Sequence, residues 1–203
     1  MERLLDVGID GRGSFDSASA VAAAALADRG DPDKAIDAVV SAHLKIAAAG
    51  GFVTGLGGFV TLPVALPVNV ASFYVVATRM AAAIASLRGY DVRLQEVRSA
   101  VLLSLVGADS GDLLHKSGYA GTGRVANFAA QRLPGPVLMA VNKGFGFRMI
   151  TQAGRKSLTR LGRGVPLVGA GLGAGLDAYM LKQIADHVRA EFPSPVASHV
   201  TQL

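Results

Sequence analysis

The chain is 203 residues long, 51% hydrophobic and only 17% charged, with a formal net charge of +5 and no cysteine. That length supports one domain with a sizeable core, and a charged share well under the ~25% usual for globular domains suits a deeply buried or lipid-contacting helical protein. The absence of cysteine excludes disulfides, thiolate metal sites and cysteine nucleophiles.

Residues 1–15 lack hydrophobic periodicity and hold three glycines, so they read as a flexible N-terminal arm. With Asp6 and Asp10 and no apolar central segment they do not make a secretory signal, and a cytoplasmic location is the default expectation. Asp16 to Ala27 is alanine-rich, which favours helix. Asp31-Pro32 marks the next helix start: the carboxylate caps free amides and the proline sits in the first turn, where its missing N–H is no loss. That helix is expected to run to about Ala49, with Ala35, Val39, Ala42 and Ile46 near one face, and to stop at Gly50-Gly51.

From Ile46 to Thr78 the chain passes 33 positions without one Asp, Glu, Lys, Arg or His. About 20 apolar residues in a helix can cross a bilayer. This span, however, holds five glycines and two prolines. The expectation is therefore a tight glycine-rich corner at 50–58 and a new helix opened by Pro67. Up to about Arg88, Val70, Phe73, Tyr74, Ala77, Met80, Ala81, Ile84 and Leu87 fit the i, i+3, i+4 pattern. Ala71, Val75, Ala82 and Ala85 make the other face apolar too, and such a helix is buried on all sides or lies in lipid. Gly89 ends it, and Asp91 caps a further helix striped by Leu94, Val97, Val101 and Leu105.

Beyond Gly107 a glycine- and serine-rich stretch leads to expected helices at 123–132, 136–152 and 155–161. The last helix is expected from Pro166 to Phe192, stopped by Pro193 and Pro195. Alternating strand patterns are scarce. The expected fold class is all-α: a single compact bundle of about seven to nine helices with a glycine-rich apolar helical hairpin, spanning residues 16–192 and followed by a tail at 193–203. Charge is unevenly spread, for residues 113–176 contain nine bases and no acid. Such a stretch attracts anions. Lys143, Arg148, Arg155, Lys156, Arg160 and Arg163 are its candidate contacts to anionic headgroups; the plainer reading is a solvated basic surface.

Gly169-Ala170-Gly171-Leu172-Gly173-Ala174 matches G-x-G-x-x-A, but Pro166 stands where a dinucleotide fold needs a strand. The same residues supply small-xxx-small pairs, Gly169 with Gly173 and Gly171 with Gly175, as Gly51 does with Gly55; such pairs let helix backbones approach closely. Lys143-Gly144-Phe145-Gly146-Phe147 copies the start of an RNA-recognition strand motif. No aromatic partner strand lies upstream and the flanks look helical, so nucleic acid is not the expected partner. Ala108 to Asp112 is similar to a trypsin-like serine environment, yet the strands of that fold are missing and no G-x-S-x-G elbow exists. His43, His115, His187 and His199 share no ligand spacing, so no metal is expected. Asp177, after an apolar glycine run, is the acid most apt to sit near buried surface, either as a functional polar group within a hydrophobic bundle or, the plainer reading, paired with a basic residue or capping a helix segment. No catalytic residue and no cofactor emerges.

The run Gly50 to Phe59, followed by Leu62-Pro63 and Leu66-Pro67, resembles the EcsC protein family. So do Arg79-Met80-Ala81, the Gly89-Tyr90-Asp91 corner and Val165 to Ala170, which extends the resemblance over roughly residues 33–192. The family's namesake is encoded beside an ABC transporter and has been linked to secretion and protein processing. The resemblance therefore implies a bacterial membrane-linked accessory protein, and it carries over no catalytic residues. The expected function is non-enzymatic. The apolar hairpin, with Phe52, Phe59, Phe73 and Tyr74, would insert in or dock on a bilayer or a membrane-protein partner, peripheral to the inner face of the membrane, while the basic stretch meets anionic lipid. The alternative is a soluble helical carrier in which the same four aromatics line an apolar cavity for a lipid or another hydrophobic small molecule.

Overall fold

The computed structural model describes residues 2–13, 15–56, 58–106 and 166–194. Those residues form α1 (Glu2–Asp10), α2 (Ala18–Arg29), α3 (Pro32–Leu56), α4 (Gly58–Leu87), α5 (Gln95–Val106) and α6 (Pro166–Glu191). The fold is all-α; outside the helices the described residues add one isolated bridge, between Arg12 and Phe15. The helices expected at 123–132, 136–152 and 155–161, and most of the tail, lie outside the described residues.

Local chemistry sets most boundaries. Ser17 caps α2 by accepting from the Ala20 amide at 3.2 Å, so the helix starts at Ala18 and not at Asp16. Gly30 ends that helix at φ +67°, a conformation that disfavours a side chain. Asp31 caps α3, its carboxylate accepting from the Lys34 amide at 2.9 Å.

Residues 2–10 are helical where the sequence suggests a loose arm. Leu5 and Ile9, one turn apart, are buried against α4, and a single i, i+4 pair is too little periodicity to stand out. Gly8 permits the close fit, since a Cβ there would come 2.7 Å from Thr78 Cβ. Arg98 on α5 clamps the outer face, donating to Asp6 at 2.6 Å and to both oxygens of Asp10 at 2.9 and 3.0 Å.

The hairpin also departs from expectation. α3 does not stop at Gly50-Gly51 but continues to Leu56, and α4 opens at Gly58 rather than Pro67. Glycine weakens a helix by about 1 kcal/mol without forbidding it, so tertiary packing can carry α3 through the pair. Pro63 and Pro67 lie within α4. Lacking N–H groups, they leave the Phe59 and Pro63 carbonyls without their usual helical donors on one face.

Helix α4 runs through the centre and touches all five other helices. Every residue from Val76 to Ala85 is buried. An apolar surface all round is thus explained there by protein neighbours. Tyr74, Met80 and Ile84 meet Ile36, Val101, Leu103, Leu181, Val188 and Phe192 in one core. At the far end Tyr90 meets Phe192 edge to face at 5.2 Å and donates to the Pro193 carbonyl.

Two ion pairs fix the register at this end: Arg88 with Asp33 at 2.8 Å and Arg189 with Asp37 at 2.7 Å. α3 therefore runs antiparallel to both α4 and α6. Its other end brings Gly51 against Gly173, and a Cβ on Gly50 would lie 3.7 Å from Asn69 Oδ1.

Candidate functional site

The antiparallel register places Phe52 and Val53 of α3, Val68 of α4 and Leu172 of α6 at one level of the bundle, beside the Gly51–Gly173 contact. All four are exposed, at 41%, 68%, 61% and 45%. Along α3 the apolar stripe Ala42, Ile46, Ala49 and Val53 also faces outward. Of the residues expected near one face, Ala35 and Val39 are buried, but beyond them the buried face is rotated away from Ala42 and Ile46: Ala35, Ile36, Val39, Val40, His43, Ala47 and Gly51 are the buried positions. Pro32–Val53 and Val68–Leu87 are each long and apolar enough to cross a membrane, a property shared with core helices of soluble proteins. A third of the first window is buried inside the fold against two thirds of the second.

His43 explains the rotation. Its Nδ1 lies 2.7 Å from the Val39 carbonyl, which can only accept, so Nδ1 carries the proton. Nε2 then accepts from Arg79 Nε at 3.2 Å. Burial, with the Arg79 charge adding to it, lowers the pKa of His43 to about 4 against the weaker opposing pull of the Val39 carbonyl. The guanidinium of Arg79 sits 3.7 Å from the centroid of the Phe15 ring. Burial lowers the Arg79 pKa, and the Asp16 charge partly restores it.

At the hairpin end α3 and α6 cross backbone to backbone. A Cβ on either Gly51 or Gly173 would drive into the other's carbonyl group, and one on Gly51 would also come 2.8 Å from Asp177 Oδ2. Asp177 is only 9% exposed. Its carboxylate accepts from Asn69 Nδ2 at 3.3 Å, and burial raises its pKa despite that bond. The polar partner is therefore an amide from α4, and no basic side chain among the described residues pairs with it.

The expected site residues separate by position. Phe52 is exposed at the hairpin end, whereas Phe73 and Tyr74 are buried in the core and present no accessible surface for insertion. Burial also raises the Tyr74 pKa. Phe59 falls in the first turn of α4, Gly55 in the last turn of α3 and Gly169 in the first turn of α6. Gly51 and Gly173 meet each other across the two helices, while Gly171 and Gly175 face open space. Lys143, Arg148, Arg155, Lys156, Arg160 and Arg163, with the Lys143–Phe147 and Ala108–Asp112 motifs, lie outside the described residues. Val53, Val68 and Leu172 are exposed apolar residues that the sequence reading did not single out. Val53 and Val68 bracket the prolines, where a helical wheel extended through the glycines would have brought them to one end. Among the described residues no three of His, Cys, Asp or Glu converge as a metal site.

These features define an all-α bundle with an apolar helical hairpin, exposed at Phe52, Val53 and Val68 and enclosed from Val76 to Ala85. The EcsC protein family model matches residues 24–192, and the chain belongs to that family. No curated protein and no solved structure matches it.

Proposed function

We propose that this chain is a non-enzymatic accessory protein that docks on the cytoplasmic face of a membrane through the open end of its α3–α4 hairpin. The observation that carries the reading is the group of four exposed apolar side chains, Phe52, Val53, Val68 and Leu172, at one level of the bundle. Large apolar side chains exposed together at one level of a fold are candidates for a protein or membrane contact site. The outward positions Ala49 and Val53 extend it for one turn of α3. In this reading the enclosed part of α4 is a rigid post, and only the hairpin end meets lipid, as an interfacial rather than a spanning contact. Residues 113–176, with nine bases and no acid, would add attraction to anionic headgroups.

The carrier reading has less support. A groove among the described residues is rimmed by Asp37, Lys45, Lys182 and Arg189, and Phe73 and Tyr74 are packed in the core instead of lining it. Flotation with lipid vesicles tests the docking proposal. The wild-type protein is expected to float with vesicles, and the Phe52→Asp/Val53→Asp double variant to bind about tenfold more weakly or worse, because burial of each such side chain contributes about 1.5–3 kcal/mol. Equal flotation of the two proteins would remove the hairpin end from the account.

A further inference from the structure

The seam between α3 and α6 forms a groove of about 450 Å³ lined by Asp37, Val40, Ser41, Leu44, Lys45, Ala48, Lys182 and Arg189. Val40, Leu44 and Ala48 supply apolar lining, and Ser41, Lys45 and Lys182 bring polar donors to the same groove. Its charges are not equivalent. Arg189 is held by Asp37 at 2.7 Å, at the end remote from the hairpin opening. Lys182 pairs with Asp186 at 2.6 Å, but both side chains are more than half exposed, and such a pair exchanges readily for another anion. Lys45 is exposed and pairs with no acid among the described residues.

Position along the bundle gives these cations a use. Lys45 stands seven residues before Phe52, about 10 Å up the α3 axis, and Lys182 ten residues after Leu172, about 15 Å up α6. A helix surface that enters the headgroup–acyl boundary sinks about 5–10 Å. With Phe52, Val53, Val68 and Leu172 at that depth, Lys45 and Lys182 reach the layer of lipid phosphates. Tyr179, 58% exposed on α6 between Leu172 and Lys182, falls at the interface that tyrosine favours.

We propose that the α3–α6 groove is a headgroup site for an anionic phospholipid. Lys45 and Lys182 hold the phosphate, the Ser41 hydroxyl, on the aqueous side of them, donates to a headgroup oxygen, and Leu44, level with Lys45, and Ala48, between Lys45 and Phe52, take the glycerol and the first methylenes of an acyl chain. The proposal rests on the docking reading above and adds to it a lipid class and a binding place.

The test compares the wild-type chain, Lys45→Ala/Lys182→Ala and Phe52→Asp/Val53→Asp on vesicles of phosphatidylcholine alone and of phosphatidylcholine with phosphatidylglycerol. Wild type is expected to prefer the anionic vesicles. The lysine variant should lose about 25-fold on them, since each headgroup-level lysine is worth about fivefold, and change little on phosphatidylcholine. The Phe52/Val53 variant should weaken on both. Unchanged anionic preference in the lysine variant overturns the groove site and leaves membrane docking standing. If wild type binds neither vesicle, the docking reading fails instead. The groove is then judged with monomeric dihexanoyl phosphatidylglycerol and with free glycerol phosphate. Amide shifts confined to the residues around Ser41, Lys45 and Lys182, with the lipid and not with glycerol phosphate, support the site. Shifts absent, or equal with the two compounds, overturn it.

Discussion

At the scale of single residues, the most constrained group is His43. Both ring nitrogens are committed, one to the Val39 carbonyl and one to Arg79, so there is no place for a second proton in the fold. Its pKa is lowered to about 4 in the folded chain, against 6.5 for a free histidine. As pH falls below 6.5 the unfolded chain takes up a proton that the folded chain refuses. Stability from this group is complete above pH 6.5, declines between 6.5 and 4, and loses about 3 kcal/mol in all. Asp177 acts in the opposite sense, because its raised pKa favours the fold at low pH. Urea unfolding of wild type and His43→Gln at pH 7, 5.5 and 4.5 isolates the His43 part. The gap between them is expected to narrow or reverse as pH falls; parallel loss in the two proteins would contradict the assignment. None of this was legible in a lone helical histidine. Its partners come from a carbonyl one turn back and an arginine 36 residues away, and only the packed fold brings them together.

At the scale of elements, the α3–α6 crossing depends on two glycines from different helices. Gly51→Ala would place a methyl group against the Gly173 carbonyl and the Asp177 carboxylate, with backbone on one side that cannot give way. The expected loss is about 1–3 kcal/mol from overpacking, against a gain of about 1 kcal/mol in helix propensity. Gly171→Ala meets nothing within 4 Å and should instead stabilise the protein. Opposite shifts in the urea midpoint confirm the crossing; a stabilising Gly51→Ala would refute it. The sequence marked these glycines as close-packing residues, since i, i+4 spacing puts both on one face. It did not say which pairs would meet. That choice follows from the register set by Asp37–Arg189, which brings Gly173 to Gly51 and turns Gly171 and Gly175 outward. The same limit explains the hairpin. Gly50-Gly51 looks like a stop because glycine weakens a helix locally, whereas here close packing against α6 holds the helix through it.

At the scale of the whole molecule, the surplus of apolar residues divides into two uses. Periodicity made the all-α class and the encircled helix α4 legible, because a helix apolar on every face needs neighbours or lipid on every face. From Val76 to Ala85 it has neighbours. The remaining surface, on α3 and at the hairpin end, could not be located from sequence. Burying His43 turns Ala42 and Ile46 outward, and a helical wheel that ranks residues by polarity turns them inward. The central claim is that this outward surface at the hairpin end enters lipid. Because the chain has no cysteine, a single Val53→Cys variant can carry one environment-sensitive fluorophore, with Ala23→Cys on α2 as its control. On anionic vesicles containing brominated lipid, the label at position 53 is expected to shift to the blue and be quenched, while the label at position 23 stays water-exposed. Vesicle-bound protein whose label at position 53 remains in water would contradict the account.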